Sequence, residues 1–249
     1  MLTFLRKIRK SLIDSGRSKS YLLYASGEIF LVMIDILLAL QINNWNEHRK
    51  DRIQEDKVLS SLLEDFRYSQ SRLSMSLEAF DQEILRLESS IRMIGLKHEN
   101  LTDDMKNKLG ESGYRNTALA EGTLNSILNT NKLELITNDT LKSLLTAYPA
   151  EITKFKNQAL NVKNIVLNIH RPVLEKYVSL TTFISEDIIK FPDLNKHAYP
   201  SDFDGLLKDR FYQNALVDRL LQTGNLHFVA RNFLARTDRI IGLIEKELN

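Results

Sequence analysis

Residues 21–42 read YLLYASGEIFLVMIDILLALQI, and the placement of everything else depends on them. At about 1.5 Å per helical residue the stretch reaches roughly 30 Å, the thickness of a bilayer's hydrocarbon core. No other segment is both as long and as apolar. It reads as a membrane-spanning helix, and two acids interrupt it: Glu28 and Asp35. On insertion scales an acid at mid-membrane costs about 2.5 to 3.5 kcal/mol, while each Leu, Ile, Phe or Val returns only about 0.3 to 0.6. A lone helix of this composition inserts marginally. The two carboxyls are therefore expected to be protonated, to face partner helices, or to line a wet cavity. Seven residues apart, they share one helical face with Tyr21, Tyr24, Leu31, Leu38 and Ile42. Two roles stand open for them: neutral, hydrogen-bonded contacts between helices, or an ion or proton path through an oligomer.

Outward from the span, residues 1–20 carry Arg6, Lys7, Arg9, Lys10, Arg17 and Lys19 against the single Asp14. Leu2, Leu5 and Leu12 recur at helical spacing, which fits either a short interfacial helix on anionic lipid or a solvated basic tail. The basic bias favours a cytoplasmic N-terminus and a main domain on the far, periplasmic side of the inner membrane. The length of the apolar run, with no small-residue cleavage site after it, favours an uncleaved signal anchor. On the far flank the only tryptophan, Trp45, stands where an amphipathic ring anchors at a membrane interface.

The run GEIFLVMIDILLALQINNWNE, residues 27–47, behind a short basic N-terminus, resembles the signature of a family of bacterial single-span membrane proteins common in Bacteroidota. Glu28 falls on that family's Gly-Glu-Ile pattern. Asp35 stands where the family usually has glycine, so it is peculiar to this chain. The similarity extends weakly into TLNSILNTNKLELITNDTLKSLLTAY, where Thr130 and Asn131 replace Ser-Gly, and into the C-terminal IIGLIEKEL. It implies a fold and a location, and no activity.

Among the 249 residues, 34 basic side chains nearly balance 32 acidic ones, for a net charge of +2. That balance implies no nucleic-acid partner. There is no cysteine, hence no disulfide and no thiolate metal site. Beyond the span the periodicity is helical throughout. From residue 59 to 94 one heptad column holds Leu59, Phe66, Leu73, Phe80, Leu87 and Ile94. A second holds Leu63, Gln70, Leu77, Ile84 and Ile91. Counting back in sevens from Leu63 meets Asp56, Arg49, Ile42, Asp35 and Glu28, which puts the acids in register with that second column. Residues 97–116 read as loop with room for one short helix, 117–128 as helix and 129–132 as turn. A long helix capped by Asn138 or Asp139 follows, with columns Leu141, Tyr148, Phe155, Val162, Ile169 and Leu145, Ile152, Ala159, Val166, Val173. Pro149 should bend it, and Pro172 should end it or open a new turn. The two long seams either pair as an antiparallel hairpin or pack on other helices of one bundle. Residues 179–201, with Pro192 and Pro200, read as an irregular crossing. Helices over 203–222 and 225–248 close the chain, the last with Leu226, Val229, Phe233, Thr237, Ile240, Ile244 and Leu248 on one face.

The expected fold is all-α: residues 1–20 a basic segment, 21–42 the transmembrane helix, and 43–249 an elongated helical bundle with long coiled-coil-like helices. No phosphate-binding glycine loop, His-Glu-x-x-His or Gly-x-Ser-x-Gly motif is present. The five histidines stand far apart, Arg49, Arg52 and Asp56 read as a solvated juncture, and no catalytic residue, cofactor or metal is expected. The expected function is that of a membrane-anchored interaction or scaffold protein. Its expected partners are the bilayer and either a second copy or another membrane protein at the Glu28 and Asp35 face. Alternatives are a component of an ion-coupled complex using those acids, and a sensor subunit whose outer bundle binds a ligand.

Overall fold

A computed structural model of the chain describes Lys10 and residues 18–184 and 198–249, excepting the side chains of residues 18–24 and 182. The expected interfacial helix at the N-terminus, apart from Lys10, and Pro192 lie outside the described residues. Every regular element among the described residues is helical. The chain divides into two compact units, residues 1–57 and 58–249.

Helix α1, Ser18–Arg92, contains the stretch read as a span. Within the first unit most of its described apolar side chains are exposed, Ile29 at 64%, Leu37 at 61% and Ile42 at 66%. An eighteen-residue window there has a mean hydropathy of 1.9, and none of it is buried in the molecule. By length and composition this is one helix able to cross a membrane.

In the second unit α1 contributes to a shared core. The column Leu59, Phe66, Leu73, Phe80, Leu87 is buried, as its spacing predicts. The column Leu63, Gln70, Leu77, Ile84, Ile91 is only half-buried. The other deeply buried column lies one residue earlier: Leu62, Ser69, Ser76 and Ser90 are at most 1% exposed, and Glu83 stands in the same series at 19%. The heptad positions of Glu28 and Asp35 therefore match a half-buried column and not a buried one.

The reason that a polar column is buried is what lies on it. After α1, Gly95 adopts a positive φ of 84°, the left-handed conformation that ends helices and that glycine accepts without strain. The chain then turns through a 3-10 turn, His98–Asn100, into α2, Asp103–Gly110. From 111 to 121 it has no regular secondary structure, and it continues as α3, Gly122–Leu128. Thr117 to Glu121, expected to be helical, belong to this strap, and α1 side chains hold the strap and the helix ends on either side of it. Ser90 Oγ meets the Lys108 carbonyl at 3.4 Å, and Ser76 Oγ meets Thr117 Oγ1 at 2.8 Å. Ser69 Oγ accepts from Ala120 N–H at 3.1 Å, and Asp65 from Thr123 N–H at 3.2 Å. Falling numbers on α1 pair with rising numbers on the strap, so the strap runs back along α1.

That return decides the direction of the next long helix, α4, Asp139–Ile165, capped as expected by Asn138, whose side chain accepts from Leu141 N–H. It starts beside the Leu59 end of the core, so α1 and α4 run parallel, as Phe66 against Tyr148 and Phe80 beside Val162 show. The antiparallel hairpin is thereby replaced by the bundle alternative. Both helices run antiparallel to α7. Arg67 pairs with Glu245 and His227 with Asp81 across α1 and α7, while Glu151 pairs with Arg236 and Gln158 with Gln222 across α4 and α7. The most extensive helix-to-helix packing is between α4 and α7. Phe66, Tyr148, Phe233 and Phe155 join the three helices in a chain of ring contacts at 4.7, 4.9 and 5.9 Å between centroids.

The helix continues through Pro149 and then changes pitch. Residues Val166–His170 form a π turn, leading into α5, Arg171–Tyr177, with Pro172 in its first turn. Pro172 has no N–H for the carbonyl four residues back, and a π turn takes up one extra residue. Every later position is rotated accordingly. His170 and Leu174 are fully buried, whereas the expected Ile169 is 44% exposed and Val173 half-buried. After a 3-10 turn at Leu180–Phe183, α6, Phe203–Lys208, and α7, Arg210–Leu248, complete the fold. The break expected near Gly224 lies instead at Asp209, whose carboxylate caps α7 through Phe211 N–H at 2.7 Å. Gly224 sits inside one continuous helix.

Candidate functional site

The three residues singled out in the sequence all lie on α1 in the first unit. Glu28 is half-buried, Asp35 is exposed, and Trp45 is 69% exposed. In the same unit Arg52, of the expected solvated juncture, pairs with Glu55 at 2.8 Å and with Asp56 at 3.6 Å, three and four residues further along the helix. Among the described residues no three His, Cys, Asp or Glu side chains are grouped as metal ligands.

A second polar constellation lies in the second unit, where the strap crosses between α1 and α7 near the π turn. It is centred on Arg219 of α7, 2% exposed. Nη1 of Arg219 donates to the Glu111 carbonyl at 3.1 Å and lies 2.8 Å from Nδ1 of His170. Nη2 donates to the Gly113 carbonyl at 2.5 Å and to Glu83 Oε1 at 2.5 Å. Glu83 is itself held bidentately by Arg86, Nε to Oε2 at 2.8 Å and Nη2 to Oε1 at 2.7 Å. Arg86 Nη1 reaches the Lys108 carbonyl at 2.5 Å. Two guanidinium groups thus share one carboxylate, Arg219 tying the strap's backbone to α7 and Arg86 tying the end of α2 to α1.

The electrostatics follow from burial. Desolvation lowers the Arg219 pKa to about 10, offset in part by Glu83, so it remains a cation at neutral pH. Burial also works against the Arg86 cation, but the bond to Glu83 and that group's charge outweigh it, and its pKa is raised. His170 falls to about 3, chiefly through burial and then through the positive charges of Arg219 and Arg86. It is neutral, and since arginine only donates, its Nδ1 accepts and the proton sits on Nε2. Its ring stacks on Tyr212 at 5.7 Å. Tyr212 gives its hydroxyl proton to the Leu109 carbonyl at 3.0 Å, and burial raises its pKa well above the ordinary phenol value.

Beside this cluster a cleft of about 450 Å³ opens, walled by α1, the strap, α4 and α7. Arg72, Glu83, Glu111, Arg115, Arg219 and Thr223 supply its polar lining. Sequence reasoning passed over all of these except the helical positions themselves. The available signal was the heptad series Leu62, Ser69, Ser76, Glu83, Ser90, a regular polar column beside an apolar one. No family model, curated protein or solved structure matches the chain.

Proposed function

We propose that this protein is a single-span, membrane-anchored helical-bundle protein that works by interaction and not by catalysis. The observation that carries the proposal is the exposed apolar surface of α1. Eleven large apolar side chains from Ile29 to Trp45 stand open, around a window of mean hydropathy 1.9. A patch so long and continuous on all sides of a helix is not a stable surface in water, and lipid is the solvent that matches it. The basic flank supports a cytoplasmic N-terminus and a periplasmic bundle in this reading, with Trp45 as the interface anchor. The resemblance of residues 27–47 to the Bacteroidota single-span family belongs to the same proposal.

The Glu28 and Asp35 face is the proposed contact with a second copy or a partner span, because an acid in hydrocarbon gains most when another helix supplies its hydrogen bond. Membranes carrying the full chain, washed in alkaline carbonate, should retain the intact polypeptide in the pellet. Its appearance in the supernatant would remove the anchor. The chain has no cysteine, so single cysteines introduced along residues 28–42 report copy-to-copy contact without background. Cross-linking confined to the Glu28 side supports the proposed face, and uniform or absent cross-linking argues for a different partner.

A further inference from the structure

The lining of the cleft in the second unit combines two chemistries: apolar Phe80, Val162 and Leu226, and polar Arg72, Arg115, Arg219 and Thr223. Among the polar residues the groups exceed the partners that the chain supplies. Nε of Arg72, Nε of Arg219 and Oγ1 of Thr223 are buried and have no hydrogen-bond partner among the described residues. Thr223 and Arg219 are 1% and 2% exposed, and buried polar atoms in folded proteins are ordinarily bonded. Three orphaned atoms around one cleft are more than packing accounts for.

Charge points the same way. Arg72, Arg86, Arg115 and Arg219 meet only Glu83 and Glu111 here, and Glu83 is already shared by Arg86 and Arg219. Neither Arg72 nor Arg115 has a carboxylate partner among the described residues. Arg115 donates its Nε to Ser76 Oγ at 3.0 Å, one turn beyond Arg72 on α1, which brings both guanidinium groups to the same stretch of the cleft. Guanidinium forks match planar oxyanions in two-pronged fashion, and about 450 Å³ falls within the range of small-molecule sites.

We propose that this cleft binds a small organic carboxylate, with its carboxylate on Arg72, Arg219 and Thr223 and its carbon body against Phe80, Val162 and Leu226. The apolar lining favours a ligand with a carbon body over a bare inorganic ion. Glu83 and Glu111 line the same cleft and disfavour a multiply charged group such as phosphate. The inference goes beyond the membrane anchor and does not depend on it.

The test uses the full chain in detergent at fixed ionic strength, with butyrate, benzoate and inorganic phosphate as probes against chloride. Thermal unfolding and titration calorimetry are the readouts. The expected result is saturable, one-to-one binding of butyrate or benzoate with a raised unfolding midpoint. Arg72→Gln and Thr223→Val should each weaken that binding at least tenfold while unfolding cooperatively without probe. If Arg72→Gln does not fold, Thr223→Val carries the comparison alone. No saturable binding of either carboxylate, preferential binding of phosphate, or carboxylate affinity unchanged in the folded variants would overturn the proposal.

Discussion

Two stretches of α1 have the same backbone geometry and opposite surroundings. Over residues 29–42 every large apolar side chain except the half-buried Ile34 stands exposed, from 52% at Val32 to 66% at Ile42. Over residues 59–90 one apolar column, Leu59 to Leu87, is buried next to a column of buried serines and the Glu83 carboxylate. Apolar content thus measures how much surface must leave water, and it does not say what will cover it. A helix that is apolar all round needs lipid. A helix with one apolar and one polar column needs protein that brings both carbon and hydrogen-bond partners, and here the strap supplies the second kind.

The sharpest way to break the comparison is Arg219→Met. It leaves the Glu111 and Gly113 carbonyls and Nδ1 of His170 without their donor and removes one cation from Glu83. Breaking a buried charged contact costs about 3 to 5 kcal/mol, so thermal or urea unfolding should show a loss of that size. A loss under about 1 kcal/mol would mean that the cluster is dispensable to the fold.

A paired truncation tests the two stretches directly. Leu73→Ala, in the buried column, is expected to cost about 2 to 5 kcal/mol through lost contacts and a cavity. Leu38→Ala, 56% exposed in the first stretch, should change bundle unfolding by less than about 0.5 kcal/mol. Equal effects would show that residues 29–42 are part of a protein core.

The smallest expected effect is a pH dependence. The His170 pKa is about 3 in the fold against an ordinary 6.5 in the unfolded chain. Below pH 6.5 the unfolded chain takes up a proton that the fold refuses. Stability is therefore full above that pH and falls as pH drops toward 3, by about 1.4 kcal/mol per pH unit for this one group. Between pH 6.5 and 5, where carboxylates remain ionised, the loss should reach about 2 kcal/mol. His170→Phe should flatten the slope in that window, and an unchanged slope would assign it to other groups.

Much of the fold was legible in the sequence because it is written at short range. Leu59 to Leu87, Leu141 to Val162 and Leu226 to Ile244 repeat at helical spacing, and all three series are buried except the half-buried Val229. The Asn138 cap was legible for the same reason. Ile169 and Val173 were misplaced because a π turn shifts the count by one residue, and Pro172, its local sign, permits a turn without requiring this one. The break between the last two helices was misplaced because Gly224 is a weak helix breaker when both of its sides are packed. Of the candidate cleft only the polar heptad series through Glu83 left a trace in the sequence. Arg72, Arg115, Arg219 and Thr223 look like ordinary helix and loop residues until the strap folds back.

By itself the sequence determined that the chain is helical and that one stretch near its start is too uniformly apolar for water, since both follow from composition and a repeat of three to four residues. Only the tertiary structure decided that α1 and α4 run parallel, that serines at 69, 76 and 90 are buried, and that Arg219 meets Glu83. Those outcomes rest on hydrogen bonds and ion pairs between segments far apart in the chain, such as Arg219 with the Glu111 carbonyl at a separation of 108 residues. No local periodicity encodes which distant carbonyl a guanidinium will find.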